Sequence, residues 1–318
     1  MREEPIVAAI VGATATGKSD LAVAVAEALG GEVVSVDSRL IYRGMDIGTA
    51  KPTRDQRQRV PHHLIDVADP DETWSVARYR QSVLALIPEI AGRRRVPILV
   101  GGTGQYMRAI LQGWVPPPSS PDPEVRARLE AEWKQGHGDK LVERLWRIDP
   151  GSAERIDLRN SRRVIRALEI YEATGVPASA LRRSQPPAFH AVQVGLRLPR
   201  AELYARIDAR IDRMVESGLV EEVRRLLARG YSRSLPSMSA IGYREIASHL
   251  EGEIGLEQAV RLMRQATRLL VRRQANWFRE SDPSVKWSTP EAGYEVAVVE
   301  WLRGAIAGFQ GASSSPEV

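Results

Sequence analysis

The apolar positions along the chain follow two alternating rhythms. Residues 6–11 (IVAAIV) are continuously apolar between Pro5 and Gly12, which predicts a buried strand. Residues 20–29 carry the apolar spacing of a helix. A second β-rich run covers 32–36, and a third, 96–100 (VPILV), is unbroken, as strands covered on both faces are. Residues 75–91 between them read as a helix. Strands alternating with helices imply an α/β layer fold with a parallel sheet.

The rhythm changes at residues 114–121 (WVPPPSSP), a proline- and serine-rich break. From 122 to about 180 the pattern is almost wholly helical and rich in arginine. A second break, 184–188 (SQPPA), precedes a strand-like alternation over 192–198. The stretch between the breaks therefore reads as a helical insertion, residues 116–189, in an α/β core made of 1–115 and 190–310. The core's C-terminal part is expected to be helical, over 201–229, 239–251 and 256–278. The end of the chain, 311–318, is expected to fray. No internal repeat is evident.

Composition narrows the class. Of 318 residues, 43% are hydrophobic and 27% charged, an ordinary globular balance. With no cysteine, disulfide frameworks, thiolate metal sites and cysteine nucleophiles are excluded. No apolar run is long enough to span a bilayer, so a cytoplasmic protein without membrane contact is expected. The formal charge is +5, and of 45 basic residues only five are lysines, leaving 40 arginines. That excess fits either codon usage or binding of phosphate and RNA, which the guanidinium fork favours.

One motif carries chemistry. Gly12, Ala13, Thr14, Ala15, Thr16, Gly17, Lys18 and Ser19 match the phosphate-binding GxxxxGK[ST] loop in full, between a predicted strand and a predicted helix. Backbone N–H groups of such a loop and the helix N-terminus attract phosphate oxygens. Lys18 would reach the terminal phosphate, and the Ser19 hydroxyl would bind Mg²⁺. ATP hydrolases and kinases normally add a carboxylate at the end of an apolar strand. The strand ending Val100-Gly101-Gly102-Thr103 carries none. The second strand instead leads to Asp37, at the sheet edge where α/β proteins bind ligands. Asp37 could hold Mg²⁺ through water, act as a general base or cap a turn. Thr103 would put a hydroxyl into the same crevice or merely mark a tight turn.

These strings, taken together, resemble the tRNA dimethylallyltransferases, also called tRNA isopentenyltransferases. The resemblance rests on GATATGKS, VDSRLIYRGMDIGTAKPT (36–53), DVADPDETWSVARY (66–79) and VGGTGQY (100–106). It continues through SRRVIRALEIYEATG (161–175), ARIDARIDRMVESGLVEEV (205–223) and SAIGYRE (239–245), covering roughly 5–302. It implies a P-loop core with a helical insertion. It also implies transfer of a dimethylallyl group from dimethylallyl diphosphate to N6 of the adenosine 3′ to the anticodon, in tRNAs reading codons that begin with U. Mg²⁺ would be the cofactor, and the chain would act as a monomer.

By the same resemblance the loop holds the donor's diphosphate, and Asp37 accepts the N6 proton. Thr103 contacts the diphosphate or the target base, and Arg206 and Arg210, one helical turn apart, contact the diphosphate. Asp37, Ser38, Arg39 and Leu40 would meet the flipped nucleotide. Arg126, the stretch Arg162, Arg163, Val164, Ile165, Arg166 and the stretch Ser239, Ala240, Ile241, Gly242, Tyr243, Arg244 would hold the anticodon stem-loop. Arg261, Arg264, Arg268 and Arg272 recur at helical spacing and would track RNA phosphates or simply solvate a helix.

The chain departs from the family pattern at Leu40, where many members have glutamine, and at Arg39 and Gln105. Those changes bear on base recognition rather than on the reaction. Lacking cysteine, the chain cannot carry the zinc finger of some eukaryotic relatives. The competing readings are a small-molecule kinase, an adenylate dimethylallyltransferase and a non-catalytic RNA-binding module.

Overall fold

The computed structural model describes residues 4–117 and 122–313. The prolines and serines at 118–121 of the first break, and 314–318 of the expected tail, lie outside the described residues. In chain order the elements are β1 (Ile6–Gly12), α1 (Lys18–Leu29), β2 (Gly31–Ser35), α2 (Arg54–Arg59), β3 (His62–His63) and α3 (Val76–Gly92). There follow β4 (Val96–Gly101), α4 (Gly104–Leu111), β5 (Trp114–Val115), α5 (Pro123–Glu132), α6 (Gly138–Ile148), α7 (Pro150–Ala153) and α8 (Ser161–Thr174). The chain then runs through β6 (Arg183–Ser184), β7 (His190–Leu196), α9 (Arg200–Glu216), α10 (Leu219–Ala228), α11 (Tyr243–Leu250), α12 (Leu256–Ala275), β8 (Val285–Ser288) and α13 (Tyr294–Ser313).

Two compact units divide the described residues. The larger takes in 4–74, 78–111 and 187–313. Its sheet has six strands in the order β3-β2-β4-β1-β7-β8. All five strand pairs are parallel. Central β1 explains its own sequence: Ala8 and Ile10 pack with Leu21, Val25, Val298 and Leu302 of α1 and α13. Val7, Ala9 and Val11 point the other way and are buried too. A strand covered on both faces has no reason to alternate with polar residues.

The smaller unit comprises 75–77, 112–117 and 122–186. Its helices close on Leu129, Leu141, Leu145, Val164, Ile165 and Leu168. The short antiparallel pair β5–β6 joins its two ends, with Trp114 opposite Ser184.

The structure corrects several expectations. The helix expected over 201–229 is two helices, broken at Gly218 with φ +96°. The expected strand ending at Asp37 stops at Ser35. The short edge strand β8 and helix α13 were not anticipated. The helix continues through Ser313, so fraying does not begin at 311. Val298, Val299, Leu302 and Ile306 hold it against the core.

Sheet closure at the ligand edge depends on glycine. A side chain at Gly101 would overlap the Val36 carbonyl, and Val36 N donates to Val100 O at 2.6 Å. Both obstacles are backbone, so neither can rotate away. Gly101→Ala is expected to destabilise the protein by about 3 kcal/mol, the upper part of the usual overpacking range. Chemical denaturation checks this as a lowered midpoint with an unchanged slope.

Candidate functional site

All the groups in this site belong to the larger unit. The phosphate-loop candidates bridge β1 and α1. Gly12 has φ +138°, and a Cβ there would lie 2.5 Å from Leu196 O. Gly17 caps α1 at φ +96° and supplies no side chain to the first turn. The helix's leading N–H groups therefore remain open to an anion. Ala15 holds φ +64°, a left-handed conformation uncommon outside glycine. Inside the loop, Thr16 Oγ1 donates to Ala13 O at 2.9 Å, and Lys18 Nζ donates to the same carbonyl.

The loop borders a cleft of about 640 Å³. Its lining includes Thr14, Lys18, Ser19, Asp37, Leu40, Gly102, Arg206, Arg210, Arg213 and Gln274. The predicted Thr14, Lys18, Ser19, Asp37, Arg206 and Arg210 are thus brought together. Arg210 Nη1 reaches Thr14 Oγ1 at 3.5 Å. Arg206 is half-exposed and also pairs with Glu202 at 2.8 Å. Burial lowers the Lys18 pKa to about 7, with repulsion from Arg210 adding to it and attraction to Asp37 opposing it. Burial likewise depresses the Arg210 guanidinium, and Asp37 partly restores it. Cations outnumber carboxylates in the cleft lining, where Asp20 and Asp37 stand against Lys18, Lys51, Arg206, Arg210 and Arg213.

Asp37 is held in a local turn, its Oδ1 accepting from Arg39 N at 2.8 Å. Turn-capping and a chemical role coexist, because a carboxylate has two oxygens. Thr103 Oγ1 accepts from Ser38 N at 3.3 Å, fastening the Asp37 turn to the end of β4. Tyr79, fully buried below, donates to Ser35 O.

The IPP transferase family model matches residues 40–281, and an isopentenyl transferase model matches 5–68. The chain belongs to the IPP transferase family. A tRNA dimethylallyltransferase of Roseiflexus sp. is 53% identical over 271 residues, 85% of this chain and 89% of that protein. The full-length tRNA isopentenylpyrophosphate transferase of Bacillus halodurans superposes with a TM-score of 0.73 at 38% identity, covering 98% and 100% of the two chains. A eukaryotic dimethylallyltransferase acting on tRNA gives a TM-score of 0.75 at 25% identity, covering 98% of this chain and 80% of that one. The P-loop fold read from the sequence is that of this family.

Seen within the family, the expected RNA contacts divide. Arg39 is engaged within the chain: its Nη1 donates to Pro236 O at 2.5 Å, and its Nη2 donates to Ser239 Oγ at 3.1 Å. Ala240, Gly242 and Tyr243 are buried, which corrects their assignment as a contact surface. The Tyr243 hydroxyl donates to Glu222 at 2.5 Å, and burial followed by the Glu222 charge pushes its pKa far up. Arg244 is exposed and bonded to Glu245, Ser239 is exposed, and Ile241 is partly buried.

In the smaller unit, Val164 and Ile165 are core residues, so they too are corrected. Arg162 and Arg163 are exposed. Arg126 and Arg166 both pair with fully buried Glu169, at 2.8 and 2.9 Å. Of the α12 arginines, Arg264 and Arg268 bond to Asp212 and Asp208 of α9, at 2.5 and 2.6 Å. Those two pin helices together; Arg261 and Arg272 remain exposed.

Three groups escaped the sequence reading. Arg213 continues the Arg206–Arg210 face into the cleft. Glu222 accepts the N–H groups of Asp46, Ile47 and Gly48 at 2.9–3.3 Å and so shapes the loop carrying Thr49–Thr53 into the cleft wall. Gln274 joins the P-loop to β4. The helical spacing from Arg210 to Arg213 was a usable signal; nothing local marked the other two.

With its pKa near 7, Lys18 is mostly neutral at pH 8, and an anion seated beside it raises that pKa. Binding of Mg²⁺–diphosphate at pH 8 is therefore expected to take up on the order of one proton, with the uptake fading below pH 7. Calorimetry in buffers of different ionisation enthalpy measures it. Lys18→Arg should remove this component, because the guanidinium stays charged. A wild-type heat independent of buffer would mean that Lys18 is already protonated.

Proposed function

We propose that the chain transfers the dimethylallyl group of dimethylallyl diphosphate to N6 of the adenosine immediately 3′ to the anticodon, in tRNAs reading codons that begin with U. The observation that carries this is the cleft itself, where a phosphate loop with Lys18 and Arg210 shares its lining with Asp37, the carboxylate whose charge acts on both cations. A kinase would need a metal-binding acid at the end of β4, and Gly101-Gly102-Thr103 offers none. The match of the IPP transferase model over 40–281 and the tRNA-acting relatives favour tRNA over free adenylate as acceptor.

The loop's open N–H groups, Lys18, Arg206, Arg210 and Arg213 bind the donor's diphosphate. The adenine N6 lone pair attacks the allylic C1 as the C1–O bond breaks, and the bonding pair leaves with the diphosphate. Negative charge grows on the leaving group, where fixed donors and cations hold it without reorganising. Asp37 takes the N6 proton through the oxygen not engaged by Arg39 N. An exocyclic amine is a weak nucleophile, so orientation matters as much as the base. Thr103 keeps Asp37 in register through Ser38.

The residues fit Mg²⁺. The Ser19 hydroxyl stands at the loop mouth, and Mg²⁺ commonly takes one or two protein oxygens with the rest from phosphate and water. Among the described residues no cluster of three His, Asp or Glu offers a closed protein cage. When bound, Mg²⁺ supplies charge neutralisation to the diphosphate.

The target base must leave its stack to enter the cleft. Leu40 lies at the cleft wall, and Arg162, Arg163 and Arg244 are exposed for phosphates of the anticodon stem-loop. No described helix is long and apolar enough to cross a membrane, and a tRNA substrate suits the cytoplasm.

The test is a transfer assay with labelled dimethylallyl diphosphate, Mg²⁺ and an unmodified anticodon stem-loop, with AMP and ATP as parallel acceptors. Label in the stem-loop alone is expected. Label in AMP or ATP would move the function to free adenylates. Asp37→Ala should lower transfer by about 10²–10⁴-fold and leave stem-loop binding nearly unchanged. Near-normal transfer by that variant would remove Asp37 as the base.

A further inference from the structure

One buried side chain touches both halves of the cleft. Gln274, near the end of α12, is 7% exposed. Its Oε1 accepts from Thr14 N of the P-loop at 2.9 Å, and its Nε2 donates to Gly102 O at 2.9 Å. The two partners fix the orientation of the amide, since one needs an acceptor and the other a donor. Among side chains of this length only glutamine offers both from one group. Its seat is cut for it: a Cβ on Gly102 would overlap Nε2. One turn on, Trp277 N donates to Gln274 O at 2.9 Å. The Trp277 side chain occupies the space that a Cβ on Gly104 would need. The end of α12 is thus pressed onto the turn between β4 and α4.

Contacts continue on either side. Thr14 Oγ1 meets Arg210, and Thr103, next to Gly102, holds Ser38 N and through it the Asp37 turn. A single amide therefore indexes the loop that binds the leaving group against the turn that carries the base.

We propose that Gln274 is a positioning residue for the transfer, setting the distance between the diphosphate cradle and Asp37. The proposal rests on the prenyl-transfer reading above. Gln274 acts through Thr14 and Gly102, and the Thr14 N–H is committed to it. Anion binding then falls to the N–H groups later in the loop. A fixed gap matters because the attacking nitrogen and the allylic carbon must meet at near-contact distance, where an ångström of misplacement costs orders of magnitude.

Three variants of the full chain separate this role from simple stability. Gln274→Glu keeps an acceptor for Thr14 N but loses the donor to Gly102 O. Gln274→Leu loses both. Gln274→His again offers one donor and one acceptor nitrogen. Melting temperature, the Kd for Mg²⁺–diphosphate by calorimetry, and kcat and KM for stem-loop transfer are measured for each.

The expected result is a kcat lower by about tenfold or more in the Glu and Leu variants, a diphosphate Kd raised about tenfold in the Leu variant, partial recovery with His, and a stem-loop KM within about twofold of wild type. The His and Glu variants carry the test if Leu does not fold. Lower melting temperatures with kcat and diphosphate Kd within about twofold of wild type would make Gln274 purely structural and overturn the proposal. Absence of transfer by the wild type would instead overturn the functional reading, while the diphosphate measurements would still decide whether Gln274 sets the loop.

Discussion

Backbone meets backbone at the ligand edge of the sheet with no room for side chains. Gly12 lies against Leu196 and Gly101 against Val36. Together with the pairing of Val11 to Gly101, that closeness brings the ends of β1, β4 and β2 into one narrow arc, with β7 beyond β1. The P-loop leaves the first, the Thr103 turn the second and Asp37 the third. A parallel sheet sends all its C-terminal ends to the same edge, so the catalytic groups need little chain to reach one another. The rest of the larger unit preserves this arc, with α1 and α13 closing one face of β1.

Electrostatics follow from that geometry. Lys18 and Arg210 are gathered where burial already disfavours charge, and Asp37 is the carboxylate that offsets them. Such a site gains most from a polyanion, which supplies the charge that burial and repulsion leave the cations short of. In the proposed reaction the charges that would bind the diphosphate would also favour its formation as a leaving group. Cation clustering is thus destabilising in the free protein, the pattern that functional sites commonly show.

Much of this was legible in the sequence for particular reasons. The apolar runs of β1 and β4 could be read because both faces of those strands are covered. The phosphate loop could be read because its glycines and lysine obey a fixed spacing. Asp37 could be placed because the strand before it pointed to the ligand edge. The single helix expected over 201–229 failed at Gly218, whose left-handed conformation ends α9. Helix α13 was hidden by glycines at 304, 308 and 311 and owes its existence to tertiary burial of Val298, Val299, Leu302 and Ile306. Strand β8 has only four residues, too short a run to announce itself; it is defined by pairing with β7, and Trp287 covers Gly195. The buried Val164, Ile165 and Tyr243 show the limit of reading a stretch as a surface: a helix turns each successive residue by about 100°, so half of any such stretch faces inward.

The missed polar groups have a common cause. Glu222 and Gln274 lie on helices far along the chain from the loops they hold, 174–176 residues from the 46–48 loop and 260 from Thr14. Their partners are backbone N–H and C=O groups, which every residue has, so no residue pattern announces them. Each nonetheless satisfies groups that burial would otherwise leave unpaired, the expensive condition for backbone in a protein interior. The site is accordingly built in two layers. Short-range sequence motifs specify the groups that line the cleft. Long-range single side chains specify where those motifs stand relative to one another, and a reaction that depends on a fixed gap between leaving group and base depends on both.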